Sequence, residues 1–193
     1  MKRKSRKSRR NQTARTVTQA RKTQGSRLIR PRTAEQYFAM SRYAQDVWDR
    51  VVQVPGIMRT QGVTLATASK QVGVSPKLVA NLAKSAFKQK QNGRYIAKAS
   101  DRLLRILVIP TKTGLQEIAV NDSRQASLVG EFWNSLNRFL DPSADASGLA
   151  KFRTKSIRTA SGKRIKLLTE PNEIMRQAHF GNLRFEALYG RSA

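Results

Sequence analysis

The sequence predicts an α+β chain, mainly helical, with a disordered basic N-terminal tail, a three-helix module, and a smaller module of β-hairpin and helix. Three observations predict this. Residues 1–32 carry 13 Lys and Arg and no Asp or Glu. Apolar residues then recur at three- and four-residue steps behind helix-capping residues as far as Ala86. Beyond Leu103, runs of branched residues are separated by turn-forming ones, as a hairpin requires. The expected boundaries are therefore 1–32 for the tail, 33–92 for the helical module and 93–193 for the mixed one.

With 193 residues and 39% hydrophobic content, the chain can bury one core of moderate size or two small ones. Thirty-eight Lys and Arg against 12 Asp and Glu give a formal charge of +26, far beyond what solubility requires. Such a charge implies a polyanionic partner. Nucleic acid is the expected one, because every neutralised phosphate releases condensed counterions. No apolar run approaches the roughly 18 residues of a membrane span, so no membrane partner is expected. The charged start has no apolar stretch of the kind an export signal needs. The expected location is therefore the cytoplasm, with nucleoid or ribosomes, or the nucleus of a eukaryotic cell. There is no Cys, which excludes disulfides and thiolate chemistry, and His179 is the only histidine.

The tail opens with Lys2, Arg3, Lys4, Arg6, Lys7, Arg9 and Arg10, and holds half of the net charge. It has too few apolar residues to offset the entropy of ordering, and it repels itself. It is expected to be disordered alone and to order on phosphate. The plainer role for such a run is a solvated or targeting segment.

Thr33 and Gln36 are spaced as a capping box behind Pro31, and start a helix. Tyr37, Met40, Ala44, Val47 and Val51 form its apolar stripe, broadened by Phe38, Trp48 and Val52. At Pro55-Gly56 the helix either ends or kinks before a last turn, and Gly62 closes it.

Thr64 then caps a short helix that turns Leu65, Ala68 and Val72 inward. Gly73 supplies a tight turn and Val74 plugs it. Ser75 caps the next helix, Pro76 takes its first position, and Leu78, Val79, Leu82 and Ala86 form its buried stripe. The opposite face presents Lys77, Ala80, Asn81, Lys84, Ser85 and Lys88 without an acid. The segment TLATASKQVGVSPKLVANLAKSAF resembles the helix-turn-helix superfamily, over residues 63–87 only. The resemblance implies that the second helix enters the major groove, with Lys77, Ala80 and Asn81 approaching base edges and Asn81 able to pair bidentately with adenine. Helix-turn-helix geometry also serves to join proteins or to bind RNA.

Lys88, Lys90, Arg94, Lys98, Arg102 and Arg105 face only Asp101, which suggests a phosphate-gripping strip with a turn at Asn92-Gly93. Residues 104–110 and 115–120 read as a hairpin turning at 111–114. Residues 95–97 either join it as a third strand, resembling the wing of a winged-helix protein, or leave it as an independent unit. Asp122 with Gln125 opens a helix carrying Val129, Phe132, Trp133, Leu136, Phe139 and Leu140, which serves as core or, less simply, as the face of a homodimer.

Lys151, Arg153, Lys155, Arg158, Lys163, Arg164 and Lys166 make a second basic cluster around a turn at Ser161-Gly162. Of these, Arg153, Lys155, Lys163 and Arg164 are the expected phosphate contacts. A strand through Ile165, a helix over 170–178 and a turn over 183–189 close the chain. His179 falls at a helix end, a structural position.

No catalytic function is expected. The acids are few and scattered; Asp101 is readable as a surface partner of Arg102, Glu117 as an outward hairpin residue and Asp122 as a helix cap. No phosphate-binding glycine loop, nucleophile motif or metal-ligand spacing is present, so neither a metal nor a cofactor is implied. The expected partner is nucleic acid, DNA ahead of RNA. The competing expectation is a ribosome-associated protein whose tail threads between rRNA helices.

Overall fold

A computed structural model of the chain describes residues 28–141, 146–181 and 183, the side chains of 146 and 147 excepted. The basic residues expected at 2–10 lie outside this range, as does the terminal turn beyond Leu183.

Thr33 caps where its sequence predicts: its hydroxyl accepts the Gln36 N–H at 3.3 Å, and the Gln36 amide oxygen accepts the Arg32 N–H at 2.8 Å. The helix it opens, α1 (Ala34–Phe38), is however only five residues long. Ser41 caps a second helix, α2 (Arg42–Gln61), by accepting the Ala44 N–H. One expected helix is thus two. Two local groups compete for the backbone at the break: the Ser41 hydroxyl offers a new cap, and the Gln45 amide donates to the carbonyls of Tyr37 and Met40. The apolar period survives the interruption because both pieces face one core.

Helix α2 runs through Pro55 without ending. Proline cannot donate to the Val51 carbonyl, and the adjacent Val52 carbonyl accepts a buried guanidinium hydrogen bond from Arg105 at 3.1 Å. Gly62, at φ 66°, closes the helix through its N–H to the Met58 carbonyl.

Helices α3 (Leu65–Gln71) and α4 (Pro76–Leu82) follow, joined by a turn in which Gly73 has φ 70°. Thr64 caps α3, whereas Ser75 occupies the N-cap position of α4 without a side-chain capping bond. Ala68 and Val79 are fully buried between the helices and α2. The turn needs a left-handed residue, and an added Cβ would meet only Arg50 at 3.6 Å, so strain rather than collision opposes substitution. Gly73→Ala is expected to lower unfolding stability by about 1–2 kcal/mol, measured as a shifted urea midpoint.

Helix α4 stops at Leu82, four residues short of its expected stripe. A single 3-10 turn, Lys84–Ala86, leads into strand β1 (Phe87–Gln89), which pairs antiparallel with β2 (Tyr95–Ala97). Phe87 gains more as a strand residue: it is buried in the first core and meets Tyr95 edge to face at 6.0 Å. Residues 95–97 therefore pair with the strand just after α4, and do not join the later hairpin. That hairpin, β3 (Arg105–Thr111) and β4 (Gly114–Val120), turns where expected with Thr111 opposite Gly114.

Asp122 caps α5 (Ser123–Leu140), accepting the Arg124 N–H at 2.9 Å. The expected reciprocal bond from Gln125 is not made; its amide oxygen accepts the N–H of Arg158 instead. After a 3-10 segment come β5 (Ser156–Arg158), β6 (Arg164–Lys166) and α6 (Pro171–His179), whose exposed last residue is His179.

Two cores result. The first gathers α1 to α4, β1, β2, Leu103 and Leu104; the second gathers β3 to β6, α5, α6 and Leu183. The core does not divide at 92/93 as the sequence suggested, because Tyr95 and Ala97 face back onto the helices. Phe132 and Leu136 of α5 are fully buried, and the Trp133 indole donates to the Val108 carbonyl at 2.7 Å. The apolar stripe of α5 is thus spent inside the chain.

Asp101 stands between the cores. It is buried, not a surface partner of Arg102: its carboxylate accepts two bonds from Arg105, one from Arg59 at 3.1 Å and one from the Leu103 N–H. Its backbone exchanges bonds with Ser123 at the start of α5. Burial alone would raise its pKa, but the hydrogen bonds and charge of Arg105 outweigh it and hold the carboxyl below its ordinary value. Arg105 is consumed here and is not part of any phosphate-gripping strip.

Candidate nucleic-acid interface

From Arg50 to Ser100 the sequence has no Asp or Glu. This stretch holds the end of α2, α3, α4 and the β1–β2 hairpin, so the surface they share is purely cationic where it is charged.

The fold brings α4 and the hairpin together around one open cleft of about 470 Å³. Lys77, Ala80 and Asn81 line it from α4, Arg94 and Tyr95 from the hairpin, and Thr64 to Ala66 from the start of α3. Lys77, Asn81 and Arg94 are exposed. Their positions follow from local chemistry: Val79 and Ala83 are drawn into the core, which turns Asn81 out. Gly93, at φ 77°, makes the hairpin turn, and Asn92 steadies it by accepting the Arg94 N–H at 3.1 Å.

Lys84, Ser85 and Lys88 are exposed but lie beyond α4, the first two in the 3-10 turn and Lys88 in β1. The Ser85 carbonyl accepts the Lys98 ammonium at 2.6 Å, which pins the exit from α4 to the end of β2. Lys88 lies opposite Ile96 on the outer face of the hairpin, and the Lys90 N–H donates to the Arg94 carbonyl near its tip. Sequence periodicity placed Lys84, Ser85 and Lys88 on the helix because it carried no sign that a strand begins at Phe87. Tyr95 and Thr64 to Ala66 were not foreseen as cleft residues. Tyr95 reaches the cleft through the pairing of β1 with β2, and Thr64 to Ala66 through the packing of α3 beside α4.

The second basic cluster forms a separate surface. Ile157 and Ile165 face the second core, and the alternating residues Ser156, Arg158, Arg164 and Lys166 face water. Arg158 and Lys166 therefore share a face with Arg164 and are flanked by Lys155 and Lys163, whereas Arg153 precedes the ribbon. The two-residue alternation in Ser-Ile-Arg and Arg-Ile-Lys was the available signal for Arg158 and Lys166.

Nothing in the described residues groups three or more His, Asp or Glu side chains as a metal site, and no described helix is long and apolar enough to cross a membrane. No protein-family model, curated protein or solved structure matches the chain.

Proposed function

We propose that this chain is a non-enzymatic DNA-binding protein, with α4 entering the major groove and the β1–β2 hairpin resting on the neighbouring backbone. One observation carries the reading: Lys77 and Asn81 on α4 and Arg94 on the hairpin open onto one shared cleft, inside a stretch of 51 residues without an acid. The order of α2, α3 and α4, followed after one 3-10 turn by a two-stranded hairpin, is similar to that of a winged helix, and supports reading the hairpin as its wing. Lys77 and Asn81 supply groups that pair with purine edges. Lys84, Lys88, Lys90 and Arg94 supply charge for phosphates, which position without reading sequence.

The N-terminal tail adds affinity of the same sequence-independent kind. Charge spread over tail, hairpin and ribbon also suits a ribosome-associated protein, and one experiment separates the two readings. Cell extracts treated with DNase or with RNase are sedimented, and the chain is followed. Release by DNase alone is the expected result; co-sedimentation with ribosomes that resists DNase would contradict DNA binding.

A further inference from the structure

The β5–β6 ribbon carries a charge arrangement that the folded chain alone does not reward. Thr159 sends its N–H across the ribbon to the Lys163 carbonyl at 2.8 Å, so these two form a hydrogen-bonded pair. The next pair in register, Arg158 opposite Arg164, is then of the non-hydrogen-bonded kind. In such pairs the Cα atoms approach to about 4.5 Å and side chains are closest. The Arg158 N–H confirms the assignment by pointing away from the ribbon, to the Gln125 amide.

Two arginine side chains therefore leave the ribbon from directly opposite positions on an exposed face, and like charges so placed destabilise a ribbon. Among the described residues no acid pairs with either arginine, and residues 146–169 contain no Asp or Glu. The ribbon cannot easily splay to escape. Ile157 is fully buried, and the Ala160 N–H is bonded to the Ala119 carbonyl at 2.6 Å. Ala160 also packs against the core that carries α3 and α4.

We infer that Arg158 and Arg164 bracket a single backbone phosphate of the bound duplex. Each guanidinium offers a planar fork that matches phosphate oxygens, and one anion between the two cancels their repulsion. Lys155, Lys163 and Lys166 add charge on either side. The inference rests on the DNA-binding reading above and assigns the ribbon a part in it that is independent of base sequence.

The test uses the full chain, its R158Q/R164Q variant and fluorescently labelled DNA duplexes, with affinity measured across a range of salt concentrations. The double variant is expected to bind every duplex sequence more weakly, with a slope of log K against log salt shallower by about one, the loss of one phosphate. Its thermal midpoint without DNA is expected to rise by up to about 3 °C as the repulsion is removed. A slope change near two would mean separate phosphates and overturn the bracket; an unchanged slope, a loss confined to one sequence or a fallen midpoint would also overturn it. If inorganic phosphate raises the midpoint of the unaltered chain while the DNA slope is indifferent to the double variant, the site takes free anions and the duplex claim fails. An unaltered chain that ignores duplex DNA overturns the proposed function itself, a result distinct from all of these.

Discussion

Asp101→Asn is expected to destabilise the chain by about 3–5 kcal/mol, the usual penalty for breaking one side of a buried ion pair. The neutral amide leaves Arg105, itself buried, without its counter-charge, while Arg59 loses its bond at 3.1 Å. The cost does not mean that the network is a large net source of stability. Replacing Asp101 and Arg105 together with apolar residues of similar size is expected to recover much of the loss. A pH dependence follows from the depressed carboxyl pKa. A carboxylate whose pKa is lower folded than unfolded contributes fully above its unfolded value and loses that contribution as pH falls through the folded one. Unfolding free energies measured from neutral to acid pH should therefore fall for the native chain and fall less for Asp101→Asn. Equal slopes, or a loss under about 1 kcal/mol at neutral pH, would show that the network matters little.

Deleting residues 1–27 is expected to have the largest effect on binding, weakening it on the order of a thousandfold at low salt. The deletion removes 11 of the 38 Lys and Arg. It spares Leu28, which packs on the first core, and Arg32, whose N–H completes the α1 cap, so the fold should be undisturbed. If about six of those cations reach phosphates, the salt dependence should become shallower by about 5. Preference among DNA sequences should be kept, because the tail is assigned to phosphates alone. Loss of preference with the tail would make the tail the reader.

How much of this was legible in the sequence depended on range. Thr33, Thr64, Gly73 and Asp122 each announced a helix boundary within four residues of the groups that make it, and each stands where it was read. The break at Ser41 was hidden because the apolar stripe continues across it. The strand at Phe87 was hidden because its partners are six to ten residues away and helical spacing extends through Ala86. Asp101 read as a surface residue because Arg102 is its neighbour in sequence. Its actual partners are Arg105 and, across the fold, Arg59. In the candidate site, Lys77 and Asn81 were legible from the face they occupy on α4, and Arg94 was read as part of a basic strip. That the hairpin places Arg94 on the same cleft required the β1–β2 register.

The central claim is that the face of α4 reads DNA sequence, and selection from a pool of random duplexes tests it most directly. The native chain and Asn81→Ala are each used to enrich bound DNA, and the recovered sequences are compared. The native chain is expected to yield a short preferred sequence containing adenine at one position, and Asn81→Ala to lose that position while still binding. The same preferred sequence from both proteins, or none from either, would contradict it.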